Sequence, residues 1–362
     1  TRKSAHYARE NVRRMKRDGA TFSIRERATR PSTLFAFALT ALLLFALWNA
    51  ASSFNLEQVA SAITSANSAA LAAALAACLG TLILRGLRWR TLITTINVNI
   101  SRRAAVEILA LSFWVNVILP AKIGDVYRAW LLKQNGGSSF GRAVGTVVVE
   151  RAVDLITVAL LGALSAYVAF GGNLSPAVTA LTLIALALAL LGAAVLLVGR
   201  GPAARLVARL PLPAAAAEPI ARAFDALKAG SGKGTLIAVA PYTLVIWGLQ
   251  AARLGCVAVA LGLFQVDPAP GFLGISAVIF TALVSAVLST IPFTPAGIGI
   301  VEAGSVGILI SIFAMPPEAA IALTLLDRVI DIGSLMVGGG ILFAVSPYPR
   351  GAGSLHSPSS LR

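Results

Sequence analysis

Long apolar segments, separated by short polar stretches, dominate the chain from residue 32 to residue 344. A helix needs about 20 mainly apolar residues to cross the hydrocarbon core of a bilayer. The pattern therefore predicts an all-α, polytopic helical membrane protein with about six full spans. The predicted spans are 32–50, 68–84, 141–170, 176–198, 236–263 and 318–343.

Two further apolar segments, 104–132 and 272–314, are interrupted by proline and glycine. Proline lacks a backbone N–H donor and disfavours helix at the residue before it. Because basic residues flank the first segment at both ends, we expect it to enter from the cytoplasm and to return there. We therefore predict a re-entrant helical hairpin in each segment. The predicted hairpin tips contain Pro120 and Gly124 in the first, and Pro295, Gly297 and Gly299 in the second.

Each half of the chain also carries a cluster of charged residues inside an apolar segment. A charge at the centre of a membrane helix costs roughly 2.5 to 3.5 kcal/mol, so these faces cannot face lipid. We expect them to pair internally, to hold the neighbouring hairpin tip, or to line a groove that handles substrate or protons. The clusters are Glu150, Arg151 and Asp154 in the first half, and Asp327, Arg328 and Asp331 in the second.

The order of break and cluster is the same in the two halves, which predicts an inverted internal repeat. Repeat A would cover about 68–198 and repeat B about 236–344, within a transmembrane domain at 32–344. A cytoplasmic connector at 200–234 would join them and contain an amphipathic helix near 220–228. Residues 1–31 are predicted to be a basic cytoplasmic tail, and residues 345–362 a flexible C-terminal tail.

Composition agrees with a membrane protein: 57% of the residues are hydrophobic and only 12% are charged. The formal net charge of +15 could suggest a nucleic-acid partner. The basic residues instead flank the apolar segments, as the positive-inside rule requires, so we predict no nucleic-acid partner. Arg85, Arg88 and Trp89 are interpreted as a cytoplasmic interface anchor, with contact to a lipid phosphate as an alternative for the two arginines.

The first predicted tip also offers positive charge. Lys122, Arg128 and the amino ends of the helices after each break would attract phosphate. Asp125 and Glu302, one at each tip, are the best candidates for a titrating pair. Both histidines, His6 and His356, lie in the tails, and no metal-ligand spacing or nucleophile–histidine pair is present. We therefore predict no catalytic residue, no metal and no cofactor.

Five motifs in order carry a resemblance to a known family. They are RGLRW from Arg85, N-x-x-L-P-x-K-x-G-D-x-x-R from Asn116, ER-x-x-D from Glu150, P-x-G-x-G-x-x-E from Pro295, and DR at Asp327. This combination resembles the lysylphosphatidylglycerol synthase transmembrane-domain family, also described as flippase-like domain proteins. The chain departs from the pattern at Thr294-Pro-Ala-Gly, where a Pro-Gly-Gly-like tip is expected.

The resemblance implies a multi-pass protein of the bacterial inner membrane, with its N-terminus in the cytoplasm, that moves lipids between leaflets. Relatives translocate aminoacylated phospholipids, and others are tied to hopanoid or glycolipid transport. The implied partners are anionic or phosphate-bearing membrane lipids; a separate lipid-modifying synthase and further copies of this chain are compatible partners. Aminoacyl-transferring relatives carry a large soluble C-terminal domain. This chain ends soon after Phe343, so we expect no aminoacyl transfer and no enzyme activity.

The resulting hypothesis is a polar groove between the two hairpins that admits a lipid headgroup. Two alternatives stay open: a membrane-embedded enzyme acting on a lipid-linked substrate, and an ion-coupled small-solute transporter in which Asp125, Asp154 and Asp331 carry protons. The residues assigned to binding or translocation are Asn116, Lys122, Asp125, Arg128, Glu150, Arg151, Asp154, Glu302, Asp327, Arg328 and Asp331.

Overall fold

A computed structural model describes residues 28–29, 31–51, 54–135, 137–170, 172, 175–198, 214–266, 271–291 and 293–350. Residues 1–27 of the predicted basic tail (1–31), residues 200–213 of the predicted connector (200–234) and residues 351–362 of the predicted C-terminal tail (345–362) lie outside these residues.

Nearly all the regular structure of the described residues is helical, which confirms the all-α prediction. The only paired extended backbone among them is an isolated bridge between Phe264 and Leu273. A 3₁₀ turn at Pro295–Gly297 precedes α11, and a π-helical turn at Val329–Gly333 joins α12 to α13. The helices are α1 Pro31–Ala51, α2 Leu56–Thr64, α3 Ser68–Thr94, α4 Arg102–Ile118, α5 Ile123–Gln134, α6 Phe140–Phe170, α7 Pro176–Val198, α8 Ala214–Gly230, α9 Lys233–Ala260, α10 Ile275–Ser289, α11 Ile300–Ser311, α12 Pro317–Arg328 and α13 Ser334–Val345.

Five helical segments of the described chain are long and apolar enough to cross a membrane. They are α3, α6, α7, α9 and the continuous segment from α12 to α13. A sixth apolar helix, α1, has a shorter apolar stretch, Thr33–Ala46. On α7, Leu183, Leu190 and Leu197 are all more than half exposed, as expected for side chains that face lipid. The chain is therefore a multi-pass membrane protein.

Two pairs of shorter helices occupy the positions of the predicted hairpins. Helices α4 and α5 have 17 and 12 residues, and α10 and α11 have 15 and 12. Each is shorter than the length that spans a bilayer. The members of each pair pack against each other. Their re-entrant placement in a membrane, and the inverted repeat, stay predictions.

The two halves of the chain interlock around a central helix pair, because α3 packs extensively against α9. The first helix of each pair then contacts the other half: α4 packs against α13, which directly follows the charged cluster of the second half, and α10 packs against α6, which carries the charged cluster of the first half. This exchange brings both helix pairs and both charged clusters towards the same interior region.

One helix was not expected from the sequence. Helix α2 lies in the polar stretch between the first two predicted spans, 32–50 and 68–84. Asn55 caps it, since its side-chain oxygen accepts hydrogen bonds from the backbone N–H groups of Glu57 and Gln58, both at 3.1 Å. Helix α8, in contrast, matches the amphipathic helix predicted in the connector, and it packs against α6.

Candidate functional site

A cavity of about 370 Å³ lies between the two helix pairs and is lined by residues from both. Its wall includes both tips, through Lys122 and Ala296, and both charged clusters, through Arg151 and Arg328. Apolar residues such as Leu79 complete the lining. The cavity therefore joins both predicted tips and both charged clusters.

The first tip is closed by a tight contact between α4 and α5. The Asn116 side-chain oxygen accepts a hydrogen bond from the Gly124 N–H at 2.7 Å, and the Ser112 hydroxyl donates to the Gly124 carbonyl at 2.8 Å. A Cβ atom on Gly124 would lie 1.9 Å from the Ser112 carbonyl oxygen. Only glycine permits this approach. The amide oxygen of Asn116, which was predicted to bind substrate, therefore stabilises the tip.

The chain turns between these helices through two left-handed residues, Ala121 (φ 61°) and Lys122 (φ 53°). Lys122 is the N-cap of α5, and its side chain makes no capping hydrogen bond. Asp125 lies in the first turn of this helix. Non-glycine residues in this conformation are strained, and such strain is concentrated at functional sites.

The second tip uses a carboxylate to tie its turn to the cluster. Glu302 Oε2 accepts a hydrogen bond from the N–H of Gly299 (φ 88°) at 2.6 Å. Its Oε1 accepts one from Arg328 Nε at 2.7 Å, and Arg328 Nη2 donates to the Ala296 carbonyl at 2.7 Å. Arg328 therefore holds both sides of this tip.

Six charged residues of the first half form a closed network, which we call the first ring. Arg128 lies between Asp125 (3.8 Å) and Glu150 (3.0 Å). Arg88 lies between Glu150 (3.3 Å) and Asp154 (2.6 Å). Arg151 then closes the ring between Asp154 (4.0 Å) and Asp125 (2.9 Å). Three arginines and three carboxylates thus alternate in sign.

The second half holds a similar network that is not closed, which we call the open network. Arg253 pairs with Asp327 at 3.2 Å and with Asp331 at 2.9 Å. Arg328 pairs with Asp331 at 3.7 Å and with Glu302 at 2.7 Å. No described cation joins Asp327 to Glu302, so the network runs as a chain of five residues.

The two networks correspond member by member. Asp125 and Arg151 are 26 residues apart, and so are Glu302 and Arg328. Arg128 and Glu150 are 22 residues apart. The residue 22 positions before Asp327 is Ser305, which is buried and shares a hydrogen bond of 2.8 Å with Ser285. Ser305 therefore occupies the place of the sixth member.

Several predicted roles change once these contacts are known. Arg128 was expected to attract phosphate, but its side chain is 0% exposed within the first ring. Arg88 and Trp89 were interpreted as an interface anchor, yet they lie inside the bundle at 1% and 0% exposure. Arg253 was missed as a site residue. An arginine in the middle of an apolar span was the signal, since such a charge needs a partner.

Arg85 is also interior, at 8% exposure, but it differs from the other buried arginines. Among the described residues it has no hydrogen-bond partner and no carboxylate within 4.0 Å. Its guanidinium lies instead over the rings of Phe113 (5.5 Å) and Trp247 (5.3 Å) and lines the cavity. A buried cation held only by aromatic faces can still accept an anionic ligand.

Comparison with known proteins gives two kinds of match. A sequence model of the family described as "Lysylphosphatidylglycerol synthase TM region" matches residues 33–339. The chain is 28% identical over 236 residues to a UPF0104 membrane protein of Methanocaldococcus jannaschii, across 64% of this chain and 94% of that protein. It is 25% identical over 348 residues to glycosyltransferase AglD of Haloferax volcanii, across 88% of this chain. The chain thus spans only 55% of the length of that glycosyltransferase.

Proposed function

We propose, from the premise that the chain belongs to the lysylphosphatidylglycerol synthase transmembrane-region family, that it moves a phosphate-bearing lipid between the leaflets of its membrane. The headgroup would pass through the cavity between the two helix pairs, while the acyl chains stay in the bilayer. The chain itself would act as a transporter and not as an enzyme.

The observation that carries this proposal is a pair of cations in the cavity wall that lack a close ion-pair partner. Arg85 and Lys122 both line the cavity, and no ion pair or hydrogen bond of either side chain occurs among the described residues. The other cavity arginines are occupied by carboxylates. A phosphate is the group that a guanidinium and an ammonium bind well together, since one offers a fork of donors and the other a compact charge.

The surroundings of these two cations fit a lipid headgroup. The cavity wall mixes charged side chains with apolar ones such as Leu79, Leu155 and Val287. A volume of about 370 Å³ lies within the range of small-molecule sites, about 300–1,000 Å³. A polar pocket with apolar walls lets a phosphate enter together with the first carbons of its lipid.

A translocation assay tests the proposal directly. The purified protein is placed in liposomes that contain fluorescent phosphatidylglycerol, and dithionite then bleaches the outer leaflet. We expect wild-type protein to bring inner-leaflet lipid to the outside, and Arg85→Gln and Lys122→Gln to slow this at least about tenfold. Arg85→Lys keeps the charge and should retain more activity. Arg103→Gln is the matched control, because the Arg103 side chain is 92% exposed and is not among the residues that line the cavity.

Two results would reject the proposal. One is bleaching with wild-type protein no faster than in protein-free liposomes for anionic, zwitterionic and glycosylated lipids alike. The other is full activity in both cavity variants.

The glycosyltransferase relative supports a second candidate, a membrane-embedded enzyme that acts on a lipid-linked substrate. This candidate predicts a chemically altered lipid. Mass spectrometry of lipids incubated with the purified protein and sugar donors separates the two: a new product without leaflet exchange favours the enzyme.

A further inference from the structure

The open network contains one more carboxylate than arginines, so it carries one uncompensated negative charge. It contains three carboxylates, Glu302, Asp327 and Asp331, but only two arginines, Arg253 and Arg328. The first ring has three of each. The difference arises at one place, where Ser305 stands in the position that Arg128 holds in the first ring.

The excess charge falls on Asp327. Its matching residue, Glu150, is paired with two arginines, Arg88 and Arg128. Asp327 is paired only with Arg253, through Oδ2. Its Oδ1 atom is buried and has neither a hydrogen bond nor an ion pair among the described residues, whereas Glu150 Oε1, which also lacks a hydrogen bond, lies 3.3 Å from Arg88. Asp327 is 8% exposed, so water replaces little of the missing interaction. A buried carboxylate that lacks part of its counter-charge is strongly unfavourable.

No other described group near Asp327 supplies the missing charge. Arg253 from α9 and Arg328 from its own helix are already shared with Asp331 on the π-helical turn. Glu302 of α11 adds a further negative charge beyond Arg328. Cys78 of α3 lies beside Asp331 and Ser334 and is neutral as a thiol. At the opposite end of α12, Glu318 accepts a hydrogen bond from the Asn55 N–H.

Asp327 is nevertheless reachable from the cavity. Both Asp327 and Asp331 belong to its wall, and the Asp331 side chain is 26% exposed. The π-helical turn interrupts the helix directly after Arg328, and such turns are frequent at functional sites. A small ion in the cavity would therefore lie against the carboxylate that carries the excess charge.

We propose that the open network binds one monovalent cation, H⁺ or Na⁺, at Asp327, in the place that Arg128 fills in the first ring. The bound cation neutralises the network and satisfies Oδ1. If lipid translocation is the function, this cation is the coupling ion, a step that rests on the proposed function. The site itself does not depend on it.

Thermal unfolding of the detergent-purified full chain tests the site without any lipid cargo. Asp327→Asn removes the excess charge and keeps the side-chain shape. Its matched control, Glu150→Gln, removes the corresponding carboxylate where both arginines are present. We expect Glu150→Gln to lower Tm by roughly 5 °C or more, because Arg128 loses its nearest counter-charge. Asp327→Asn should unfold within about 2 °C of wild type at pH 5 and above it at pH 8.

Two series of Tm measurements, one against pH and one against Na⁺, identify the cation. If it is a proton, wild-type Tm falls between pH 5 and pH 8, whether the salt is Na⁺ or N-methylglucamine, because deprotonation restores the buried charge. If it is Na⁺, wild-type Tm at pH 8 rises when Na⁺ replaces N-methylglucamine at constant ionic strength. In either case the dependence is lost in Asp327→Asn.

The proposal is overturned if Asp327→Asn lowers Tm as much as Glu150→Gln does. It is also overturned if wild type and Asp327→Asn show the same dependence on pH and Na⁺. Neither result bears on leaflet exchange, which the liposome assay measures separately.

Discussion

The first ring and the open network place charges of the same sign at matching positions, and they differ at Arg128 and Ser305. In the first ring each charge lies between two of opposite sign, so the whole is neutral and fixed. In the open network the alternation stops at Asp327. A single position thus separates a charge-balanced network from one with room for a ligand.

Both networks reach the cavity wall, since the Arg151 side chain of the first ring is 35% exposed and the Asp331 side chain of the open network is 26% exposed. At the position where they differ, the first ring is dry, because the Arg128 and Glu150 side chains are both 0% exposed. A charge-balanced ring is suited to holding α3, α5 and α6 in one arrangement. A network with an excess charge at the cavity can exchange a counter-ion. We infer that the first half anchors the site and that the second half responds to the ligand.

Removing Arg128 should give the largest effect, because it opens the first ring. Arg128→Ser leaves Glu150 with one arginine and Asp125 with one, in a dry interior. Breaking a buried pair in this way costs about 3–5 kcal/mol of unfolding free energy. Chemical unfolding followed by tryptophan fluorescence measures the loss, and Arg103→Ser, at an exposed site, controls for removal of a positive charge.

The double variant Arg128→Ser with Glu150→Gln sharpens this test. It makes the first half resemble the open network with its excess charge removed. We expect it to be more stable than Arg128→Ser alone, which is the signature of a charge penalty. Equal or additive losses would show that Arg128 acts through packing against Trp89, over whose ring its guanidinium lies at 5.1 Å.

The two tips also differ in how closely their helices approach. Gly124 is the second residue of α5, and Val301 is the second residue of α11. Gly124→Ala places a methyl group 1.9 Å from the Ser112 carbonyl oxygen and 2.7 Å from the Asn116 side chain. We expect a loss of about 1–3 kcal/mol, the cost of overpacking.

Gly248→Ala in α9 is the matched control for that change. A Cβ atom there meets nothing within 4 Å, so helix propensity alone should raise stability by up to about 1 kcal/mol. Comparable Tm values for Gly124→Ala and wild type would mean that α4 and α5 can move apart without a loss of stability.

The sequence predicted much of this arrangement because membrane burial leaves strong patterns. The length of the apolar segments predicted the spans, and proline and glycine predicted the tips. The free-energy cost of a charge in lipid identified both charged clusters. Counting residues from the two tip prolines would match Gly124 with Gly299, whereas in the structure Gly299 is the N-cap of α11 and Lys122 holds that place in α5. The second tip contains two more residues than the first, so residues at equal distances from the two prolines do not correspond. The spacing in the sequence does not reveal this difference.

The partners of the charges could not be predicted, because they come from helices distant in sequence. Arg88 meets Asp154 across 66 residues, and Arg253 contacts the Asp327 carbonyl across 74. Arg88 therefore looked like a surface anchor, and Arg253 had no evident role. Local patterns identify a buried charge, but only the packing of α3 and α9 decides which carboxylate it meets.

The smallest predicted effect concerns the N-cap of α5, where Lys122 has φ 53° and its counterpart Gly299 has φ 88°. Lys122→Gly makes the first tip like the second. Glycine relieves the left-handed strain but is more flexible when unfolded, so stability should rise by about 1 kcal/mol or less. Translocation should fall, since the cavity loses a cation.

Ala121→Gly separates these two consequences. Ala121 has φ 61° and lies next to Lys122 in the same turn, so its replacement relieves strain without removing charge. Its Tm should rise slightly and its translocation rate should match wild type. A lower Tm for Lys122→Gly would mean that the lysine side chain stabilises the tip. An unchanged translocation rate for Lys122→Gly would mean that Arg85, and not Lys122, binds the phosphate. The functional difference between the two halves would then lie in their charged networks and not in their tips.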